Sequence, residues 1–242
     1  MKLITDLNMR AFTSLTASGS AAGFPANNLQ LFDPGLIWKA DAFASDVTLV
    51  ADLGASADIE RIWLNNANFL SATLQANDSN SWGDPAVSIS ATLAEDDIGI
   101  VKGFFDLSAV DYRYVRVVIP VQTLTDSESV PSLGNLIVGT SEELKVASWE
   151  SQTIRKFSKF EPDDGGYRKT YKGRARHVFA ASVSGTKAQV DAVVLKGWDV
   201  AIIFTDLGVV SDSYLVYAPD STRGSTRNSA DAERSFALEE LA

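Results

Sequence analysis

Cysteine is absent from this 242-residue chain, histidine occurs once and methionine twice. Without thiols there is no disulfide framework, no thiolate metal site and no cysteine nucleophile. The single histidine, His177, has no second imidazole with which to form a metal pair. Serine and aspartate are plentiful, but no Gly-x-Ser-x-Gly elbow holds a triad nucleophile. His177 therefore reads as a structural or surface residue. No run of about 18 apolar residues occurs, so no membrane span is expected. The segment Met1-Lys2-Leu3-Ile4-Thr5-Asp6 lacks a long apolar core and a small-residue cleavage site, and is not expected to be a signal peptide. A chain without cysteine suits folding in a reducing compartment. Phosphate-cradling glycine loops, heptads, fixed-period repeats and low-complexity tracts are also missing. Together these absences point away from catalysis and cofactors and toward binding or assembly.

What the chain does contain is a series of strand-like blocks. Val47–Gly54 is followed by Ile59–Leu64, then Ala72–Asp78, and much later Tyr112–Ile119. Each alternates apolar and polar residues or is almost wholly apolar, and each stops at Gly, Asn, Asp or Pro. Alternation with period two, bounded by turn formers, predicts strands that bury one face. Loops are expected at Ser18–Pro25, at Asp33-Pro34-Gly35 and over Asn77–Pro85, with one short helical turn at Pro25–Leu29.

Charge divides the chain. Residues 1–145 hold 8 Lys+Arg against 18 Asp+Glu, a net of −10, whereas residues 146–242 hold 13 of each. The change falls near Thr140–Lys145, where a boundary is expected. An acidic first part is a poor partner for phosphate backbones, which bind by releasing counterions to Lys and Arg. The second part reads as strands over 155–160 and 167–182, one helix over Thr186–Gly197, and strands at Val200–Phe204, Ser213–Tyr217 and Arg234–Leu241. In the helix, Val190, Val193, Val194 and Gly197 fall on one face, and Gly197 is a C-terminal stop.

Several blocks resemble a known family. Ala26-Asn27-Asn28-Leu29, Trp38-Lys39-Ala40, Leu49–Gly54 and Ile59-Glu60-Arg61-Ile62 resemble the opening of a discoidin-type (coagulation factor 5/8 C-type) domain. Thr73–Asp78 with Trp82 is similar to its central strand and loop. Tyr114-Val115-Arg116-Val117 and Leu133–Gly139 are similar to its closing pair. The likeness spans about residues 20–140 and lacks the family's terminal cysteines. It implies a mainly β protein: an N-terminal extension (1–19), a discoidin-like jelly-roll β-sandwich (20–142) and a smaller α+β domain for assembly (143–242). The stretch from Gly166 to Glu240 resembles the β-rich domain of phage and prophage tail proteins.

Among candidate binding residues, Trp38, Trp63 and Trp82 have faces that can stack on sugar rings. Trp38 and Trp63 fall at core-like positions. Trp82, in a polar loop, is the better candidate for glycan contact. The loop Asp78–Asp84 begins like a calcium loop, but Ile89 stands where a bidentate Glu is required, so it is no EF-hand. Adjacent residues Glu95, Asp96 and Asp97 point in different directions, so they read as a solvated loop rather than an acid–base pair. Arg155, Lys156, Lys159, Arg168, Lys169, Lys172, Arg174 and Arg176 concentrate positive charge, interleaved with Phe157, Phe160, Tyr167 and Tyr171. Such a stretch suits nucleic acid, a solvated strand face, or a subunit contact that meets the acidic first part of a neighbour. Subunit contact is favoured over nucleic acid.

The resemblances imply a non-enzymatic tail-tip component, a distal tail or baseplate protein. It would form a homo-oligomeric ring, a hexamer or trimer, touch other tail proteins, and be assembled in the bacterial host cytoplasm into the virion tail. Head-to-tail rings suit a subunit with one acidic and one basic part. The alternative is a carbohydrate-binding module that docks on cell-surface glycans.

Overall fold

In the computed structural model, side chains are described for residues 9–141 except 32, 34, 97, 98 and 108–110; elsewhere the backbone of the strands is described. The chain divides into two compact units, Met1–Glu143 with Ile202–Ser213, and Leu144–Ala201 with Tyr214–Ala242.

The strands up to residue 143 are β1 (Lys2–Thr5), β2 (Ser14–Ala17), β3 (Trp38–Lys39), β4 (Val47–Ala67), β5 (Ser71–Asn77), β6 (Val87–Thr92), β7 (Ala94–Glu95), β8 (Val101–Ile119), β9 (Ser132–Leu133), β10 (Asn135–Gly139) and β11 (Glu142–Glu143). The main sheet runs β10-β4-β8-β5-β6, with β2 also on β4 and β7 also on β8. Ser14–Ala17, within the expected N-terminal extension, pairs antiparallel with β4 from Ser14↔Asp52 to Ala17↔Leu49. Expected strands 47–54 and 59–64 are one element of 21 residues. Straight, it would reach ~70 Å, several times an ordinary strand.

It bends instead. Between the pairs Asp52↔Tyr114 and Ala57↔Tyr112, β4 gains residues that β8 does not match. Gly54 sits in this bulge at φ 83, the left-handed region that glycine occupies without steric cost. Asp52 holds the turn: its Oδ1 accepts the Gly54 N–H at 2.7 Å. The bend divides the β4–β8 ladder into two arms, 47–52 with 114–119 and 57–67 with 101–112. Leu49, Ala51, Val115, Val117 and Leu74 from the first arm and its neighbour share one core with Ile59, Ile62, Leu64 and Phe105 from the second. That is the β-sandwich: one bent ladder closing on its own apolar side chains, which leave water at roughly 25 cal/mol per Å².

The arms differ in how they meet water. In β5 every second residue is buried, and β4 does the same over 47–52, so one face is open. In β4 from Arg61 to Asn65, and throughout β10, every residue is buried. The expected turn at Pro25–Leu29 is a 3-10 helix, Ala26–Gln30, that buries Ala26 and Leu29. Pro25 precedes it in extended conformation at φ −70, which suits the fixed proline ring.

The acidic triplet departs from expectation. Glu95 is exposed, but Asp96 is not solvated. Its carboxylate lies 2.7 Å from Lys102 Nζ, and both side chains are almost fully buried. Asp96 Oδ1 also accepts the Ile100 N–H at 2.8 Å, so the loop turns around this group. Two charges leave water together because each satisfies the other. Asp97 lies outside the described residues.

The remaining strands are β12 (Val146–Phe157), β13 (Glu161–Pro162), β14 (Arg168–Lys169), β15 (Lys172–Gly185), β16 (Val200–Phe204), β17 (Ser213–Tyr217), β18 (Arg223–Thr226) and β19 (Ala232–Glu239). A four-stranded sheet runs β12-β15-β19-β18, and β13 pairs with β14. The strands expected at 200–204 and 213–217 are present with those bounds. The expected helix Thr186–Gly197 lies outside the described residues. The protein is mainly β.

Candidate functional site

The open face of the sandwich is made by outward residues of β4, β8, β5 and β6. Register sets Val50, Arg116, Gln75 and Ser88 in one cross-strand row, since Val50 pairs with Arg116, Arg116 with Gln75, and Gln75 with Ser88. A second row joins Asp52, Tyr114 and Asn77. The inward neighbours Val115, Val117, Leu74 and Ala76 are fully buried, so the pleat forces Arg116 and Gln75 outward.

Over this face folds the β5–β6 loop, which carries Trp82. Asn77 shapes the loop: its Nδ2 donates to the Ser81 carbonyl at 2.8 Å, and its Oδ1 accepts the Asp78 N–H at 2.9 Å. Asp78 Oδ1 accepts from Ser56 Oγ at 3.2 Å, and Asn80 Oδ1 accepts from Trp82 Nε1 at 2.7 Å. The Asn80 oxygen thus positions Trp82 while those of Asn77 and Asp78 tie down the start of the loop, and among the described residues no group of three metal-ligating side chains forms.

The Arg116 guanidinium lies 4.5 Å from the centroid of the half-buried Trp82 ring. Arg116 Nε donates to Gln75 Oε1 at 2.7 Å, and Gln75 Nε2 donates to Ser88 Oγ at 3.3 Å. Stacking and the Nε bond fix the plane of the guanidinium, and among the described residues its terminal nitrogens have no hydrogen-bond partner. Partial burial pushes the Arg116 pKa below the ordinary arginine value. Beside it, Arg113 is committed to Asp52 by a fork of two bonds, 2.8 and 2.9 Å, and lies over the Tyr114 ring at 4.9 Å. The Arg113 hydrogen bond, the largest influence, holds the Asp52 carboxyl below its usual value despite desolvation. The row thus offers an aromatic ring, a planar cation, an amide and a hydroxyl, all on rigid strands or a pinned loop.

Trp38 and Trp63 are fully buried. Trp38 Nε1 donates to Ser20 Oγ at 3.1 Å. Both belong to the interior, and of the three tryptophans weighed Trp82 alone is placed on the open face. Gln75 and Arg116 carry no motif of their own and read from the sequence only as strand residues. The signal for them was parity: both occupy polar positions of strands whose alternate residues are apolar.

The basic stretch is spread over three strands. Arg155 and Lys156 are in β12, and Lys172, Arg174 and Arg176 are in β15. Register sets Arg176 opposite Ile154, Arg155 opposite Ala175 and Lys172 opposite Phe157. Arg168 and Lys169 form β14, opposite Pro162 and Glu161. Lys159 lies outside the described residues. His177 is in β15, opposite Thr153.

No family model matches the chain, and no curated protein matches it. Among solved structures it is similar to chitosan-binding module 1 of a chitosanase/glucanase from Paenibacillus sp. IK-5, with 24% identity and a TM-score of 0.42. That likeness covers 55% of this chain and 98% of the module. A Streptococcus pneumoniae fucose-binding module is similar at 14% identity and a TM-score of 0.44, over 56% of this chain and 98% of that one. A variant of the lectin-binding domain of lectinolysin, solved with Lewis b, is similar at 17% identity and a TM-score of 0.42, over 54% of this chain and 92% of that one. These neighbours are carbohydrate-binding modules, and none of the three is a tail or baseplate protein.

Proposed function

We propose that this protein is a non-catalytic carbohydrate-binding protein, with the open face around Trp82, Arg116, Gln75 and Ser88 as its sugar site. The observation that carries the reading is the stack of Arg116 on Trp82, with the guanidinium's terminal nitrogens uncommitted among the described residues. Sugar rings present an apolar C–H face and a rim of hydroxyls. An aromatic surface beside planar amide and guanidinium donors answers both. Rigid strands hold these groups before the ligand arrives, which lowers the entropy lost on binding. The named ligands of the structural neighbours, chitosan, fucose and Lewis b, belong to the same chemical class.

The test is a glycan array followed by calorimetry on the full chain. Trp82→Ala is expected to weaken the best ligand about tenfold or more, a loss on the order of 1–2 kcal/mol. An unchanged affinity in that variant would place the site elsewhere.

The ring-forming tail or baseplate subunit is the second reading, and its support is the charge split between residues 1–145 and 146–242. Sedimentation separates the two readings. A hexamer or trimer that ignores glycans would favour assembly, and a monomer that binds them would favour recognition.

A further inference from the structure

We infer that the Trp82–Arg116 face selects saccharides carrying a single carboxylate, such as a uronic or sialic acid residue, over their neutral counterparts. This rests on the sugar-binding reading and adds the charge of the ligand.

The argument starts from how cations are used in the first unit. Lys39 pairs with Glu128, Arg61 with Asp106, Lys102 with Asp96 and Arg113 with Asp52. Carboxylates outnumber cations by 18 to 8 over residues 1–145, so partners are abundant. Among the described residues Arg116 nevertheless has no carboxylate. Its contacts are the Gln75 amide and the Trp82 ring. Arg10, which also lacks one, directs its Nε to the Asp58 carbonyl at 3.1 Å. The nearest acidic side chain in the adjacent row, Asp52, is occupied by Arg113.

A cation kept partly out of water and without a counter-ion is held at a cost. The lowered pKa of Arg116, caused by desolvation, has the same origin. A ligand carboxylate would supply the missing partner. Its two oxygens match the guanidinium fork, and charge-assisted bonds of this kind are about twice as strong as neutral ones. Stacking and the Gln75 bond already fix the plane of the fork, so little orientation is left to lose. The Gln75 amide and Ser88 hydroxyl are suited to sugar hydroxyls in the same row.

The surroundings limit the ligand's charge. Asp78 and Asp84 lie in the loop that carries Trp82, and the first part of the chain has a net charge of −10. Such a field repels a polyanion as a whole, while one carboxylate seated on Arg116 gains more locally than it loses at range. The site therefore discriminates against densely sulfated chains.

The experiment is calorimetry on the full chain with trisaccharides ended by glucuronate, galacturonate or sialate, each beside its carboxyl methyl ester. Neutral trisaccharides and a sulfated heparin pentasaccharide complete the panel. At least one acid is expected to bind about tenfold more tightly than its ester. Arg116→Gln should remove the difference, and Arg116→Lys, with the charge but no fork, should restore only part of it. A thermal melt on each variant checks that the fold is kept. An ester that binds as well as its acid, or neutral sugars bound while every acid is ignored, would overturn the charge selection and leave sugar binding standing. Tightest binding by the sulfated pentasaccharide would overturn the single-carboxylate rule. No binding by any member would sink both the inference and the sugar-binding reading.

Discussion

Asp52 joins two parts of this protein. It accepts the Gly54 N–H that shapes the bend and the guanidinium fork of Arg113. Its carboxyl is held below the ordinary aspartate value, first by the Arg113 hydrogen bond. A depressed carboxyl stabilises the folded state above its unfolded pKa, and that contribution is lost as pH falls through the lower folded value. Asp52→Asn is therefore expected to cost about 1 kcal/mol at neutral pH, because the pair is part-exposed. It should also flatten the loss of stability below about pH 4. Urea titrations at pH 7 and pH 3 check both. Lys102 obeys a harsher rule. It and Asp96 are buried together, so Lys102→Ala leaves the buried carboxylate without its cation. Loss of about 3–5 kcal/mol is expected in the same assay.

At the scale of the element, the bend in β4 determines whether the ladder closes. Gly54 has φ 83, and a Cβ built there would collide with the Thr13 side chain. Gly54→Val thus meets both backbone strain and a clash, and should destabilise by roughly 1–3 kcal/mol. A thermal melt would show it; an unchanged midpoint would mean the bend tolerates other backbone angles. The β5–β6 loop is held differently, by the Asn77 and Asn80 side chains around Trp82. The alternation of β5 was legible because one face is buried and the other wet. The continuity of β4 was not. Gly54 reads as the end of one strand, yet pairing with β8 resumes at Ala57. Hydrogen bonds to a distant partner carry the ladder across a break that local propensity favours.

For the whole molecule, charge leads to a plain expectation. The sequence pI is about 4.6, so solubility should be lowest near that pH and recover on either side, as light scattering would record. The acidic character of the first 145 residues also sets the background against which Arg116 acts. Composition and spacing by themselves determined that the protein is mainly β, that cysteine chemistry is excluded, that a turn follows Pro25 and that Trp82 stands in a polar loop. Those features are local, written in period-two alternation and in turn formers. Tertiary structure alone decided that Arg116 stacks on Trp82 from another strand, that Asp96 is buried on Lys102 rather than solvated, and that 47–67 is a single bent strand. The first and last depend on the pairing of β5 and β4 with β8, and the second on the pairing of β7 with β8. No periodicity within one segment encodes that pairing, because register is settled by which residues the far strand brings opposite.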